Sequence, residues 1–310
     1  MRSLILIPAA SLAALLAACG GGGGGSTTVT PPPVAPPITA PGAPAATGDT
    51  ALDGFNWFNY RRTSIGLAAL SRNTRLDTAA AGHSNYLRLN NTVSHDQVAG
   101  NPGFTGATLQ NRITAAGYTL SNPYAFGEVI SAAGDKSGFY HAEELITAIY
   151  HRFVVLEPVF KEMGTGAATS ASNYTYFTAD FAASGGYGPG LGRGRIATYP
   201  GDGQTMVATT FLSDTESPDP VPNQNAVGYP VSVHADISSS ISVTSFTIRP
   251  RNGAVMNARL LSSATDSHTK AQVAAIVPLT TLSAGTTYDV SFAGTVDGVS
   301  VSRNWSFTTK

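Results

Sequence analysis

Apolar positions recur at helical spacing through the first half of the chain and at alternating spacing through the last third. Thr50 and Asp53 can cap a helix that carries Leu52, Phe55 and Phe58 and runs to about Ile65, where Gly66 stops it. Asn73 or Thr74 opens a second helix, with Leu76, Ala79, Ala80, His83 and Leu87 on one stripe. Thr105 opens a third, through Leu109 and Ile113, with Gly117 just past its end. Residues 126–132 read as a strand and 139–150 as a helix with Leu145, Ile146 and Ile149 on one side; 163–168 and 174–181 read as two more strands. Helices interleaved with strands predict a sheet covered by helices. From residue 227 the texture changes. The runs 229–234, 240–248, 255–261, 271–279, 287–296 and 299–308 alternate apolar and polar residues between turn residues, the pattern of a β-sandwich. Asp297-Gly298 reads as the turn of the last hairpin. A Gly- and Pro-rich stretch joins the two textures, so the chain divides at 51–185, 186–226 and 227–310.

The N-terminal pattern is different again. Arg2, the apolar run from Leu4 to Leu16 and the small residues after it have the layout of an export signal, and the run is too short to span a bilayer. Leu16-Ala17-Ala18-Cys19 resembles the bacterial lipobox. That resemblance implies a signal peptide over 1–18, an acylated Cys19 and a stable membrane anchor. Residues 19–50 are rich in Gly and then Pro, Thr and Ala, and they read as a disordered tether with too little apolar surface to fold. No acidic residue follows Cys19 directly. The expected location is therefore the cell envelope, and the outer membrane if the cell is Gram-negative. A formal net charge of −1 and the absence of a basic stripe argue against a nucleic-acid partner. Cys19 is the only cysteine, so no intramolecular disulfide can form.

Several short motifs occur in one order. Asn59-Tyr60-Arg61 precedes Gly66-Leu67-Ala68-Ala69-Leu70. Ala79-Ala80-Ala81-Gly82-His83-Ser84 and Ser94-His95 follow. Then come Arg112-Ile113, Ala116-Gly117-Tyr118, Gly127-Glu128-Val129-Ile130, Tyr150-His151-Arg152 and the run from Pro158 to Gly166. Over residues 52–182 this set resembles the CAP superfamily of cysteine-rich secretory proteins, antigen 5 and pathogenesis-related proteins, in its bacterial branch. The resemblance implies an α+β fold, a three-layer α-β-α sandwich. It also implies a cleft lined by two histidines and one or two acids, which carries over to His95, Glu128 and His151. Glu128 lies in an apolar strand, where a carboxylate needs a partner. His95 lies in a polar loop, and His151 is expected to end a helix.

Two imidazoles and a carboxylate suit a divalent ion such as zinc with one position open to water. The same three residues can instead form a hydrogen-bonded network that only orders the cleft. The family's second cleft glutamate has no counterpart at the expected offset, and Glu143 and Glu144 fall on the wrong side of it. General acid–base work would then rest on Glu128 and one histidine. His83 is expected in the core, His141 solvated at a helix start, and Arg152 paired with a carboxylate or a helix carboxyl end. His234 and His268 are expected to be inert. Residues 282–290 and Trp305-Ser306-Phe307-Thr308-Thr309 resemble a bacterial immunoglobulin-like domain, which implies a spacer or adhesive role. The Gly-x-Ser-x-Gly, Walker and His-Glu-x-x-His patterns are absent. The leading reading is a lipid-anchored binding module for lipid, glycan or protein. A metal-dependent hydrolase that uses His95, Glu128 and His151 is the first alternative, and a structural surface protein is the second.

Overall fold

The structure, a computed structural model, describes residues 42–310. Cys19, its leader and the tether through residue 41 lie outside the described residues. Among the described residues, no helix is long and apolar enough to cross a membrane.

Helix α1 (Thr50–Ser64) starts one residue before the expected caps, at Asp49, whose carboxylate accepts the Leu52 amide. Asp53 turns back instead and accepts the amide and hydroxyl of Thr47. Two-residue strand β1 (Ser71–Arg72) leads to α2 (Thr74–Asn90), which Asn73 caps as its spacing predicts. Helix α3 (Leu109–Ala115) opens at Thr108 rather than Thr105, in a capping box with Asn111. Strand β2 (Ala125–Ala133) follows. The helix expected over 139–150 is two helices, α4 (Gly138–Thr147) and α5 (Ile149–Val155), broken at the extended residue Ala148. Strands β3 (Glu162–Thr169) and β4 (Thr175–Ala183) complete a sheet of order β1-β3-β4-β2.

Strand alternation decides which helix covers which face. Gly164 and Gly166 of β3 face α2 so closely that an added Cβ would lie 2.1 Å from the amide nitrogens of Asp77 and Ala81. Thr165 points the other way and donates to the Ala51 carbonyl in α1. Phe177 and Phe181 of β4 meet Phe58 of α1, and Gly127 of β2 lies under Val154 of α5. The helices therefore form two layers around the sheet. Helices α2 and α3 cover one face, and α1, α4 and α5 cover the other.

The C-terminal part contains β5 (Ala197–Tyr199), β6 (Gln204–Val207), β7 (Thr210–Leu212), β8 (Ala226–Gly228) and β9 (Val231–His234). Strands β10 (Ile241–Pro250), β11 (Ala258–Leu261), β12 (Val273–Pro278), β13 (Thr287–Val296) and β14 (Val299–Thr309) follow. Two four-stranded sheets, β10-β13-β14-β6 and β11-β12-β9-β5, make up this part with a β7-β8 hairpin. The segment 186–226 is thus more than a connection: β5 pairs with β9, and β6 runs parallel to β14. These strands are only three or four residues long among glycines and prolines, so no alternating pattern reveals them. Asp297 and Gly298 both have positive φ, 52° and 77°, as a type I′ hairpin turn requires.

Helix α5 meets the second sheet directly. Arg152 donates to the Pro230 carbonyl and Ser232 hydroxyl, and its guanidinium lies 4.8 Å from the Tyr199 ring and 4.9 Å from that of Tyr229. Covered on both sides, β9 and β12 are buried along their whole length. One hydrophobic core runs from Trp57 through Val154, Val231 and Phe292 to Phe307.

Candidate functional site

Glu128 on β2 stands directly opposite Asp180 on β4, and both side chains point to the α2 face. Glu128 is 1% exposed. A buried carboxylate needs partners, and three elements supply them. Arg112 of α3 reaches both carboxylate oxygens from one nitrogen, at 2.8 and 2.7 Å. Its other terminal nitrogen donates to the His95 carbonyl at 2.7 Å, which pins the loop. His95 Nδ1 lies 2.8 Å from Glu128 Oε1. With Nδ1–H committed to the carboxylate, Nε2 is the ring's remaining acceptor.

His83 sits in the α2 core stripe as expected, yet it also belongs to this cluster. Its Nε2 is 2.9 Å from the Ser94 carbonyl and 3.9 Å from Glu128, and its Nδ1 meets the Gln97 side chain at 2.9 Å. Gln97 in turn accepts the Thr105 amide, so His83 and Gln97 shape the loop that carries His95. Burial lowers the His83 pKa to about 4, against the pull of Glu128, and the ring is neutral. Burial works against ionisation of Glu128 too, but His83, Arg112 and the His95 bond outweigh it and hold the carboxyl well below its usual range. Asp180 goes the opposite way. Burial, followed by the charge of Glu128, raises its pKa well above the ordinary value.

His151 is on the other side of the sheet. Gly127, which neighbours Glu128 in β2, faces α5, so Glu128 faces away from it. Nor does His151 end a helix: it lies in the first turn of α5, because the chain breaks at Ala148. Glu216, from the Gly- and Pro-rich segment, caps that turn. Its carboxylate accepts the amides of Ile149 at 2.7 Å, Tyr150 at 2.7 Å and His151 at 3.1 Å, and it lies 3.0 Å from His151 Nδ1. The Nε2 atom of His151 is buried without a partner among the described residues.

Two other residues depart from their expected places. His141 is fully buried rather than solvated, because it lies on the sheet-facing side of α4. Its Nδ1 meets Ser131 Oγ at 2.7 Å and its Nε2 the Asp135 carbonyl at 3.0 Å. Glu144 also faces the sheet, with Ser131 donating to it at 2.6 Å; burial raises its pKa, and the field of His151 opposes that rise. An acid is therefore present on the His151 side after all. Glu143 pairs with Arg61 and the Trp57 indole. Among the described residues Arg152 meets no carboxylate, but it does bond the carboxyl end of α4, at the Ile146 and Thr147 carbonyls. His234 is fully buried on β9 beside Ser232, and burial lowers its pKa to about 3. His268 stands edge-on to Tyr150.

The expected cluster of His95, Glu128 and His151 is thus two separate sites. Among the described residues, no three of His, Cys, Asp and Glu are placed to hold a metal ion. One donor nitrogen of each histidine is already committed to a different carboxylate, so the zinc site drawn from the three residues does not fit. Asp180 and Glu216 escaped the sequence reading, and Glu144, set aside there as misplaced, faces the sheet on the His151 side. Asp180 alone carried a usable signal, since it is an acid in an apolar strand just as Glu128 is.

Residues 55–181 match the family model described as CAP, cysteine-rich secretory protein family. No curated protein matches the chain. Among solved structures, an extracellular protein containing an SCP domain from Bacillus anthracis is similar at 24% identity and a TM-score of 0.36, over 43% of this chain and 39% of that one. The chain thus covers well under half of the length of that relative. An outer surface protein from Borrelia burgdorferi is similar at 15% identity and a TM-score of 0.35, over 42% and 89%. A cysteine-rich secretory protein from Staphylococcus aureus is similar at 17% identity and a TM-score of 0.30, over 47% and 40%. On the order of its motifs and the family match, residues 55–181 are a CAP domain.

Proposed function

We propose that this chain is an exported envelope protein, anchored through Cys19, whose CAP domain binds its ligand at the His95 rim and performs no hydrolysis. The observation that supports binding over turnover is the state of Glu128. Both of its oxygens are engaged by Arg112 and one also by His95. A general base needs a free lone pair and a pKa near the working pH, whereas this carboxyl is held low and facing inward. It orients His95, whose Nε2 then accepts a hydroxyl or amide of a lipid headgroup, glycan or protein. The C-terminal β-sandwich serves as an immunoglobulin-like spacer or adhesive module, in line with the similarity of residues 282–290 and 305–309 to such domains. Export agrees with the leader and with the extracellular and outer-surface descriptions of two similar structures.

The test is an array of lipids, glycans and peptides, scored for binding and for turnover with wild type, His95→Ala and Glu128→Gln. Expected are a retained ligand, affinity lower by about tenfold or more in His95→Ala, and no turnover. Turnover by wild type that Glu128→Gln abolishes would overturn the reading. For the anchor, wild type is expected to partition into detergent and Cys19→Ser into the aqueous phase; equal partitioning would refute it.

A further inference from the structure

On the sheet face turned to α4 and α5, three side chains from two elements share one hydrogen-bonded line. Ser131 of β2 lies at its centre, 5% exposed. Its Oγ is 2.6 Å from Glu144 Oε2 and 2.7 Å from His141 Nδ1, both on α4. On the far side of the ring, Nε2 is 3.0 Å from the Asp135 carbonyl. Phe177 stacks on the imidazole at 5.7 Å and Tyr140 meets it edge-on at 5.5 Å, so the ring has an apolar setting.

The ends of this line fix where its protons lie. A backbone carbonyl only accepts, so Nε2 carries a hydrogen. Ser131 has one proton for two contacts. If it goes to Glu144, Nδ1 must donate as well, and the buried ring becomes an imidazolium. If it goes to Nδ1, the ring stays neutral and the Glu144 carboxyl supplies the proton of its own contact. A cationic ring between Phe177 and Tyr140 is costly. Burial moves both groups toward the neutral arrangement, lowering the His141 pKa and raising that of Glu144. Other titratable groups act on the line as well. His151 from α5 favours ionisation of Glu144, and Asp135 from the loop opposes it and favours the charged form of His141. The phenols of Tyr140 on α4 and Tyr174 from the turn before β4 complete the surroundings of Glu144. The resting arrangement therefore has a neutral ring and a neutral acid, and Ser131 donates to Glu144 once that acid has ionised.

Ionisation reverses the bonds along the line. The Glu144 proton passes to Ser131 Oγ as the Ser131 proton passes to Nδ1, and the imidazolium so formed gives its Nε2 proton to solvent. One proton leaves in all, and the Asp135 carbonyl loses its donor. That carbonyl belongs to a short loop that joins two helix starts. Asp135 Oδ1 accepts the Ser137 amide, Ser137 caps α4, and the Lys136 carbonyl accepts the Thr50 hydroxyl at the first turn of α1. We propose that Ser131, His141 and Glu144 are a one-proton switch, in which loss of the Glu144 proton moves the His141 hydrogen from Nε2 to Nδ1 and releases the 135–137 loop.

The experiment is nitrogen-15 NMR of the full chain labelled at histidine, titrated from about pH 5 to about pH 10, with the His141 signals identified by their loss in His141→Gln. In wild type, His141 is expected as the neutral Nε2–H tautomer in neutral solution and as Nδ1–H when the pH is raised. Protection of the His141 amide, which the Ser137 carbonyl holds, is expected to fall several-fold with that change. Glu144→Gln, whose amide donates to Ser131 at every pH, is expected to keep the Nε2–H tautomer and the protection throughout. Ser131→Ala cuts the line and is expected to keep the Nε2–H tautomer as well. An imidazolium or an Nδ1–H tautomer in neutral wild type, no change on raising the pH, or the same change in Glu144→Gln would overturn the proposal. The wild-type titration decides between these outcomes even where a variant fails to fold. His95→Ala is expected to leave the titration unchanged, so its outcome is independent of ligand binding at the His95 rim.

Discussion

Glu157 sits between α5 and β3, where its Oε1 accepts the amides of Val159 at 3.3 Å and Ile237 at 3.0 Å. Burial raises its pKa from 4.5 to about 8. The native carboxyl therefore keeps its proton in neutral solution while the unfolded chain releases it. Stability falls as pH rises from about 4.5 to 8, and the loss is complete above that window. Glu157→Gln keeps the acceptor oxygen and removes the titration. Its melting temperature is expected to exceed that of wild type at pH 8, by a stability difference on the order of a few kcal/mol, and to converge with it near pH 4. A constant difference across this range would contradict the buried-carboxyl account. His83 and His234 act with the opposite sign. Their folded values, about 4 and about 3, lie below the ordinary 6.5, so they cost stability as pH falls below about 6.5. At this scale the sequence exposed Glu128 because an acid in an apolar strand needs a partner, and family motifs led to His95. The partners themselves were hidden. Arg112 was visible as part of a motif but had no role until α3 was placed, and Glu216 reaches His151 from a segment without any regular pattern.

At the level of elements, the contact between α2 and β3 has the least slack. Gly164 and Gly166 leave no room for a side chain, and Ser84 of α2 bonds both the Gly166 carbonyl and the Thr178 hydroxyl. Since α2 carries His83, the spacing of this contact also sets the position of the His95 loop. Gly166→Ala is expected to destabilise by about 1–3 kcal/mol or more through overpacking, with a lower melting temperature and weaker ligand binding. A variant as stable as wild type would show that α2 can shift freely. The caps and apolar stripes of α1, α2 and α3 were legible because their signals are local. The break between α4 and α5 was not, since a residue distant in sequence caps the second helix. Residues 271–279 read as an alternating run, whereas strand β12 is apolar throughout and buried on both faces.

The described residues form one packed body. Its core is continuous from the CAP domain into the sandwich, and Arg152 ties the two together. One calorimetric transition is expected, and two resolved transitions would contradict a shared core. Arg152→Ala leaves the Ile146 and Pro230 carbonyls without a donor and empties the space between Tyr199 and Tyr229. A loss on the order of 3 kcal/mol is expected, seen as a downward shift of that single transition.

Glu216 has a consequence for the order in which the chain matures. The family match ends at residue 181, and synthesis reaches that point well before Glu216 exists. Until it does, the amides of Ile149, Tyr150 and His151 have no carboxylate to receive them. The nascent CAP domain is therefore unfinished when its own sequence is complete. The stretch that carries the family match and the stretch needed to complete its fold end at different residues.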